Sequence, residues 1–149
     1  MTSGDPEASR EYPSRPIVAV GAVVWKGGKV LLIRRGKEPR RGRWSIPGGA
    51  QETGETLAAA LQREVREETG IEVEVTGLLD ALDSIVRDDA GRARYHYTLV
   101  DFTAEWRSGE ARAGADAMDS GWFTPAEAAN MDLWDETLRV IRLAESRRA

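Results

Sequence analysis

Apolar residues run almost without interruption from Ile17 to Trp25, many of them β-branched. Such a run predicts a strand covered on both faces. Lys26-Gly27-Gly28-Lys29 interrupts it with the glycine pair of a tight hairpin turn, and Val30 to Ile33 reads as the returning strand. Trp44-Ser45-Ile46-Pro47-Gly48-Gly49 is a short extended piece ended by two glycines. Thr56 to Thr69, rich in Ala, Leu, Glu and Arg, predicts a helix, with Gly70 placed to cap its end. Ile71 to Arg87 predicts one or two strands, Asp88 to Gly91 a turn, and Tyr95 to Trp106 a long strand of aromatic and β-branched residues. Ser108 to Ser120 reads as a loop and Gly121-Trp122-Phe123 as a short strand. Thr124-Pro125 opens a helix with proline at its favoured first position. A last helix spans Trp134 to Ser146, with Trp134, Leu138 and Ile141 on one face. Residues 1–15 read as a flexible tail of acids, prolines and small polar residues, leaving 16–149 as a single domain.

The first long helix has an unusual charge pattern. At about 100° per residue, Leu57, Leu61 and Val65 form one apolar stripe that must face the core. Glu64 and Glu68 fall on or beside that stripe, and Glu67 lies just beyond its edge. A helix that only packs would keep its acids on the opposite face. Like charges crowded at the border of a core cost energy unless something positive sits among them. A divalent cation meets that need, against the blander reading of three solvated glutamates.

Composition narrows the metal and the partner. The chain has 149 residues, no cysteine and one histidine, His96. Thiolate zinc sites and two-histidine metal motifs are thereby excluded, and oxygen ligands favour hard cations. A net charge of −4 argues against a general nucleic-acid binder. No apolar run is long enough to span a membrane. The cytoplasm is the expected compartment.

Gly49, Glu55, Arg63, Glu64, Val65, Glu67, Glu68, Gly70 and Ile71 stand in the order G-x5-E-x7-R-E-U-x-E-E-x-G-U, where U is a bulky aliphatic. This resembles the Nudix box, with every defining position filled. The resemblance extends over the preceding Val30–Arg35 and Trp44–Gly49 segments and the late Gly121–Pro125 stretch. It implies an α/β/α sandwich with a mixed sheet and a pyrophosphohydrolase that uses Mg2+, with Mn2+ as a substitute. By position it makes Glu64 and Glu68 the main metal ligands, with Glu67 assisting and the Gly48 carbonyl completing the shell. Glu52 would reach an additional ion, Glu55 would steady the loop, and Arg63 would orient carboxylates. The general base stays open between Glu67, Glu68 and an acid of the late loop, Glu110, Asp116 or Asp119.

Six Lys/Arg lie between Arg34 and Arg43. Arg34 or Arg35, ending a strand aimed at the box, is the expected phosphate contact, and Arg40, Arg41 and Arg43 are expected to be solvated. Trp44 is expected in the core and His96 reads as structural; Tyr95 and Tyr97 alternate with His96 on a strand, with one face expected in the core and the other open to a substrate cleft. The expected substrate is a small-molecule nucleotide, ADP-ribose or a nucleotide sugar before a nucleoside triphosphate. A non-catalytic nucleotide-binding module is the alternative in a different class, and a homodimer is left open.

Overall fold

The computed structural model describes residues 10–114 and 116–148. Seven strands and three helices follow in the order β1 (Ile17–Lys26), β2 (Lys29–Arg35), β3 (Trp44–Ser45), β4 (Gly48–Ala50), α1 (Leu57–Thr69), β5 (Glu72–Arg87), β6 (Ala93–Ser108), β7 (Ala117–Phe123), α2 (Pro125–Ala128) and α3 (Asp135–Ser146). The sheet is mixed, in the order β3-β2-β1-β6-β5, with β4 paired to β1 and β7 to β2. β1 runs parallel to β6 from Ile17↔Tyr97 to Trp25↔Glu105. Every other pairing is antiparallel.

The continuous apolar run of β1 has a direct cause. Val20, Ala22 and Val24 pack with Leu61 and Val65 of α1, whereas Val23 and Trp25 pack with Val140 and Ile141 of α3. β2 divides in the same way, Leu31 toward α1 and Val30 and Leu32 toward α3. The expected α/β/α layering is therefore observed.

β1 and β2 pair only beside their turn, at Trp25↔Val30 and Lys26↔Lys29. Further along, β1 takes β4 as its partner at Ala19, Val20 and Gly21, while β2 takes β3 at Ile33 and Arg34. The two strands diverge, and the opening between them becomes a cavity.

Several elements differ from the sequence reading. Of the one or two strands expected over Ile71 to Arg87 there is one, β5, whose register against β6 shifts at four places. The last residues of the expected Ser108–Ser120 loop belong to β7, where Asp119 faces Arg34 and Ser120 faces Ile33. Backbone pairing to β2 outweighs the Gly/Asp-rich composition there. Order also begins before Pro16. The Tyr12 amide donates to the Arg94 carbonyl at 2.7 Å, its hydroxyl bonds Asp88 at 3.0 Å, and Glu11 pairs with Arg94 at 2.9 Å. The rest of the expected tail, residues 1–9, lies outside the described residues. Among the described residues no helix is long and apolar enough to cross a membrane.

Candidate active site

α1 is held at both ends by local chemistry. The Thr56 hydroxyl caps it by accepting from the Ala59 amide at 3.0 Å, and Gly70 ends it in a left-handed conformation, φ 77°. The side that meets the sheet buries Ala60, Leu61, Val65, Glu68 and Thr69. Glu68 is thus a core residue by position, 7% exposed. Glu64 is half-buried and Glu67 is exposed, in the angular order that the apolar stripe predicts.

Glu68 Oε1 accepts from the Gly48 amide at 2.7 Å. Burial pushes the Glu68 carboxyl up to about 8, against the downward pull of that bond and of Arg35, with Glu64 and Asp116 adding to the rise. Burial likewise raises Glu64, although Arg63 opposes the shift. The Glu64 carboxylate lies against Gly49, where a Cβ would collide with it. Gly48 is glycine because of how closely the strands approach. A Cβ there would strike the Val20 carbonyl and the Gly21 Cα, so close approach of β4 to β1 demands glycine.

Arg63 organises the rest. Its Nε and Nη2 donate to the two oxygens of Glu55 at 2.6 and 3.0 Å, a forked pair. Nη2 also reaches the Ala50 carbonyl at 3.0 Å, while Nη1 donates to Glu64 and Glu67, each at 3.0 Å. Glu52 stands farther off, 3.8 Å from Nη1, with its side chain 69% exposed. These carboxylates raise the basicity of the guanidinium. One cation therefore ties the loop before α1 to two acids of the helix.

The site opens into a cavity of about 290 Å³ between β1, β2, β4 and β6. Glu52, Arg63, Glu64, Glu67, Glu68 and Gly48 all border it, as does Arg35. Arg35 is half-buried, and burial lowers its basicity while Glu68 raises it. Its neighbour Arg34 faces away, bonding the Gly42 carbonyl at 2.8 Å. Of the late-loop acids, Asp116 borders the cavity and pairs with Lys37 at 3.3 Å. The loop that carries it is stitched to the end of α1, where the Gly114 amide donates to the Glu68 carbonyl at 2.7 Å. Glu110 is exposed outside the cavity, and Asp119 sits in β7 with its carboxylate on the Ser120 amide. The structure thus gathers Arg35 and Asp116 with the helix acids but leaves Arg34, Glu110 and Asp119 apart.

Some cavity residues escape the sequence reading. Arg40 is not solvated. Its guanidinium lies 3.9 Å from the centroid of Trp134 and donates to the Ser84 hydroxyl at 3.0 Å. Arg43 also borders the cavity, held by Asp132 and the Leu133 carbonyl. Arg10, in the expected tail, borders the cavity too. Of the tyrosines, Tyr95 is core and Tyr97 lines the cavity, with Trp44 packed edge-on against Phe123. Asp101, a lone acid within the apolar run Leu99-Val100-Asp101-Phe102, is buried at the cavity wall. That interruption of an apolar strand was a signal the sequence offered.

The donor set fits a hard divalent cation in kind, since it consists of carboxylate and carbonyl oxygens. Its present arrangement is open. Among the described residues no three acids are gathered as a ready metal cage, because Arg63 engages Glu64 and Glu67 while Glu68 turns to Gly48.

Comparison with known proteins gives a consistent result. Residues 15–143 match the NUDIX domain family. An ADP-ribose pyrophosphatase of Methanocaldococcus jannaschii is 39% identical over 108 residues, covering 72% of this chain and 62% of that protein. A Mycobacterium tuberculosis protein with the provisional name 8-oxo-dGTP diphosphatase 2 is 37% identical over 118 residues, 78% of each chain. Among solved structures, a MutT NUDIX hydrolase from Burkholderia pseudomallei superposes with a TM-score of 0.75 at 30% identity, over 87% of this chain and 98% of that one. The NUDIX domain of Shewanella oneidensis NrtR, solved in complex with ADP ribose, gives 0.71 at 26% identity, over 96% and 92%.

Proposed function

The chain belongs to the NUDIX domain family, and from that premise we propose that it is a divalent-metal-dependent pyrophosphohydrolase that cleaves a nucleoside diphosphate linked to another group. The observation that carries this reading is the burial of Glu68 and Glu64 at the mouth of a cavity that Arg35 also enters. Acids in such a place are costly without a cation, and a phosphate-sized cationic partner stands beside them.

Glu64 and Glu68 are the residues that would hold the metal, with Glu67 and the Gly48 carbonyl beside them and Glu52 for a further ion. A divalent ion, Mg2+ or in its place Mn2+, supplies charge neutralisation at the bridging phosphates when bound. Arg63 keeps the carboxylates oriented through its bonds to Glu55, Glu64 and Glu67. Arg35, beside the acids, binds a phosphate oxygen. Water attacks one phosphorus, its oxygen forms the new P–O bond, and the bridging P–O bond breaks. The departing proton passes to a carboxylate, with Glu67, Glu68 and Asp116 within the cavity lining to receive it.

ADP-ribose or a nucleotide sugar is the first choice of substrate. The 39% identity to an ADP-ribose pyrophosphatase and the similarity to an ADP-ribose-bound NUDIX domain support it. The Mycobacterium tuberculosis relative favours a second reading, hydrolysis of a nucleoside triphosphate. Product analysis separates them. AMP plus ribose 5-phosphate from ADP-ribose supports the first, whereas a nucleoside monophosphate plus inorganic pyrophosphate, released in preference, supports the second. A protein that binds nucleotides with magnesium but releases no product would be a non-catalytic module.

A further inference from the structure

We propose that Asp101 is a specificity-determining residue whose carboxylate receives paired hydrogen-bond donors of the substrate, on the side of the molecule away from the scissile pyrophosphate. The proposal rests on the reading of the cavity as a nucleotide site. Three independent features of the structure lead to it.

The first is placement. Asp101 stands on β6 in register with Gly21 of β1, and Gly21 is in turn in register with Gly48 of β4. Two strand spacings, roughly 10 Å, therefore separate the backbone of Asp101 from that of Gly48 at the acidic end of the cavity. The distance leaves a phosphate at one end and a nucleoside-sized group reaching the other. Leu99, two residues before Asp101 on β6, and its β5 partner Leu82 add apolar wall beside the carboxylate.

The second is the clearance over the carboxylate. A Cβ added to Gly21 would lie 2.6 Å from Asp101 Oδ1 and 3.1 Å from the Ile46 side chain. Gly21 adopts no left-handed conformation, so its lack of a side chain serves space and not backbone geometry. Glycine there leaves the carboxylate uncovered toward the cavity.

The third is the missing partner. Asp101 is 5% exposed, yet no described residue donates a hydrogen bond to its carboxylate. Burial, and then the like charge of Asp80, push it up to about 6. The nearest cation, Arg139, is committed to Asp80 and Glu136, each at 2.9 Å. A carboxylate in a buried residue that opens to a cavity and receives no protein donor takes its hydrogen bonds from what enters the cavity, water or ligand. Paired donors occur on the vicinal hydroxyls of a ribose and on the amino edge of a base. A site built to bond such donors rejects the analogue that lacks them.

The test uses Asp101→Asn, with Asp101→Ser as a second variant should the first fold poorly. Binding of AMP, inosine monophosphate, ribose 5-phosphate and 2-deoxyribose 5-phosphate is measured by calorimetry in EDTA, beside steady-state kinetics with magnesium. The wild type should favour AMP over inosine monophosphate if a base amine is the donor. It should favour ribose 5-phosphate over its deoxy form if a sugar diol is. The variant should lose that preference, about tenfold in Kd, with the loss in kcat/KM residing mainly in KM and the melting temperature held or raised. Equal binding of all four probes by wild type and variant would overturn the proposal. So would a lowered melting temperature with KM unchanged, which marks a structural carboxylate. Because the binding arm contains no metal, it decides the role of Asp101 even if no nucleotide is hydrolysed.

Discussion

Arg63 and Glu55 form a forked ion pair, Nε to Oε2 at 2.6 Å and Nη2 to Oε1 at 3.0 Å, and the same guanidinium reaches the Ala50 carbonyl and two acids of α1. The loop that begins with the Gly48-Gly49 pair is thereby fixed to the helix that bears the carboxylates. A lysine has one point of charge and no planar fork, so it can satisfy only part of this set. Arg63→Lys should therefore lower kcat by roughly 100-fold, the scale on which loss of catalytic geometry is felt. Its melting temperature should fall as well. Steady-state kinetics and a thermal melt of the variant test this, and wild-type kcat would show that the fork is dispensable.

Glu64 and Glu68 should respond differently in activity and stability. Each is raised by burial, so neutralising either relieves a cost in the metal-free protein. Glu64→Gln and Glu68→Gln should each reduce kcat by orders of magnitude while the melting temperature in EDTA stays level or rises. A large drop in that melting temperature would make the carboxylate a structural element.

The two arginines that end β2 offer a controlled comparison. Arg35 borders the cavity and Arg34 bonds the Gly42 carbonyl away from it. Arg35→Ala should raise KM about tenfold or more, the worth of one charge-assisted bond to phosphate. Arg34→Ala should change KM little. Equal effects from the two variants would contradict the assignment.

Asp101 gives the stability a pH dependence of predictable sign. Its folded value, about 6, lies above the unfolded carboxylate value near 3.9. Between those values the folded state holds the proton and the unfolded state does not, so stability falls as pH rises through the window. The charged groups facing it are Asp80 and Arg139. Asp101→Asn removes the effect, and by pH 7.5 it should be more stable than the wild type by roughly 2 to 3 kcal/mol at 1.36 kcal/mol per unit. Urea unfolding in EDTA at pH 4.5 and 7.5 reads the difference, and a gap that does not widen with pH would rule it out.

Much of this arrangement is legible in the chain because its physics is local. The positions of Glu64, Glu67 and Glu68 follow from helix periodicity and the apolar stripe of Leu61 and Val65, and the C-terminal cap of α1 follows from Gly70. β1 and β2 follow from burial on two faces. What composition does not show is set by pairing across long sequence separations. Asp119 looks like a loop acid until β7 is laid against β2, and Arg40 looks solvated until α3 brings Trp134 beneath it. Whether Arg34 or Arg35 enters the cavity turns on which face of β2 meets it, which no local pattern decides. Tyr12 reads as tail because its partners, Arg94 and Asp88, lie far along the chain.

Metal-dependent pyrophosphate hydrolysis is decided by the kcat/KM for ADP-ribose, measured with magnesium and again after EDTA, beside GTP, CTP and an oxidised purine triphosphate. ADP-ribose should be cleaved to AMP and ribose 5-phosphate with the highest kcat/KM of the set. EDTA should abolish turnover, and magnesium or manganese should restore it. A triphosphate preferred by about tenfold, some 1.4 kcal/mol in transition-state stabilisation, would overturn the substrate assignment while leaving the hydrolase in place. Full activity in EDTA, or no cleavage of any nucleotide with metal present, would rule out a metal-dependent hydrolase.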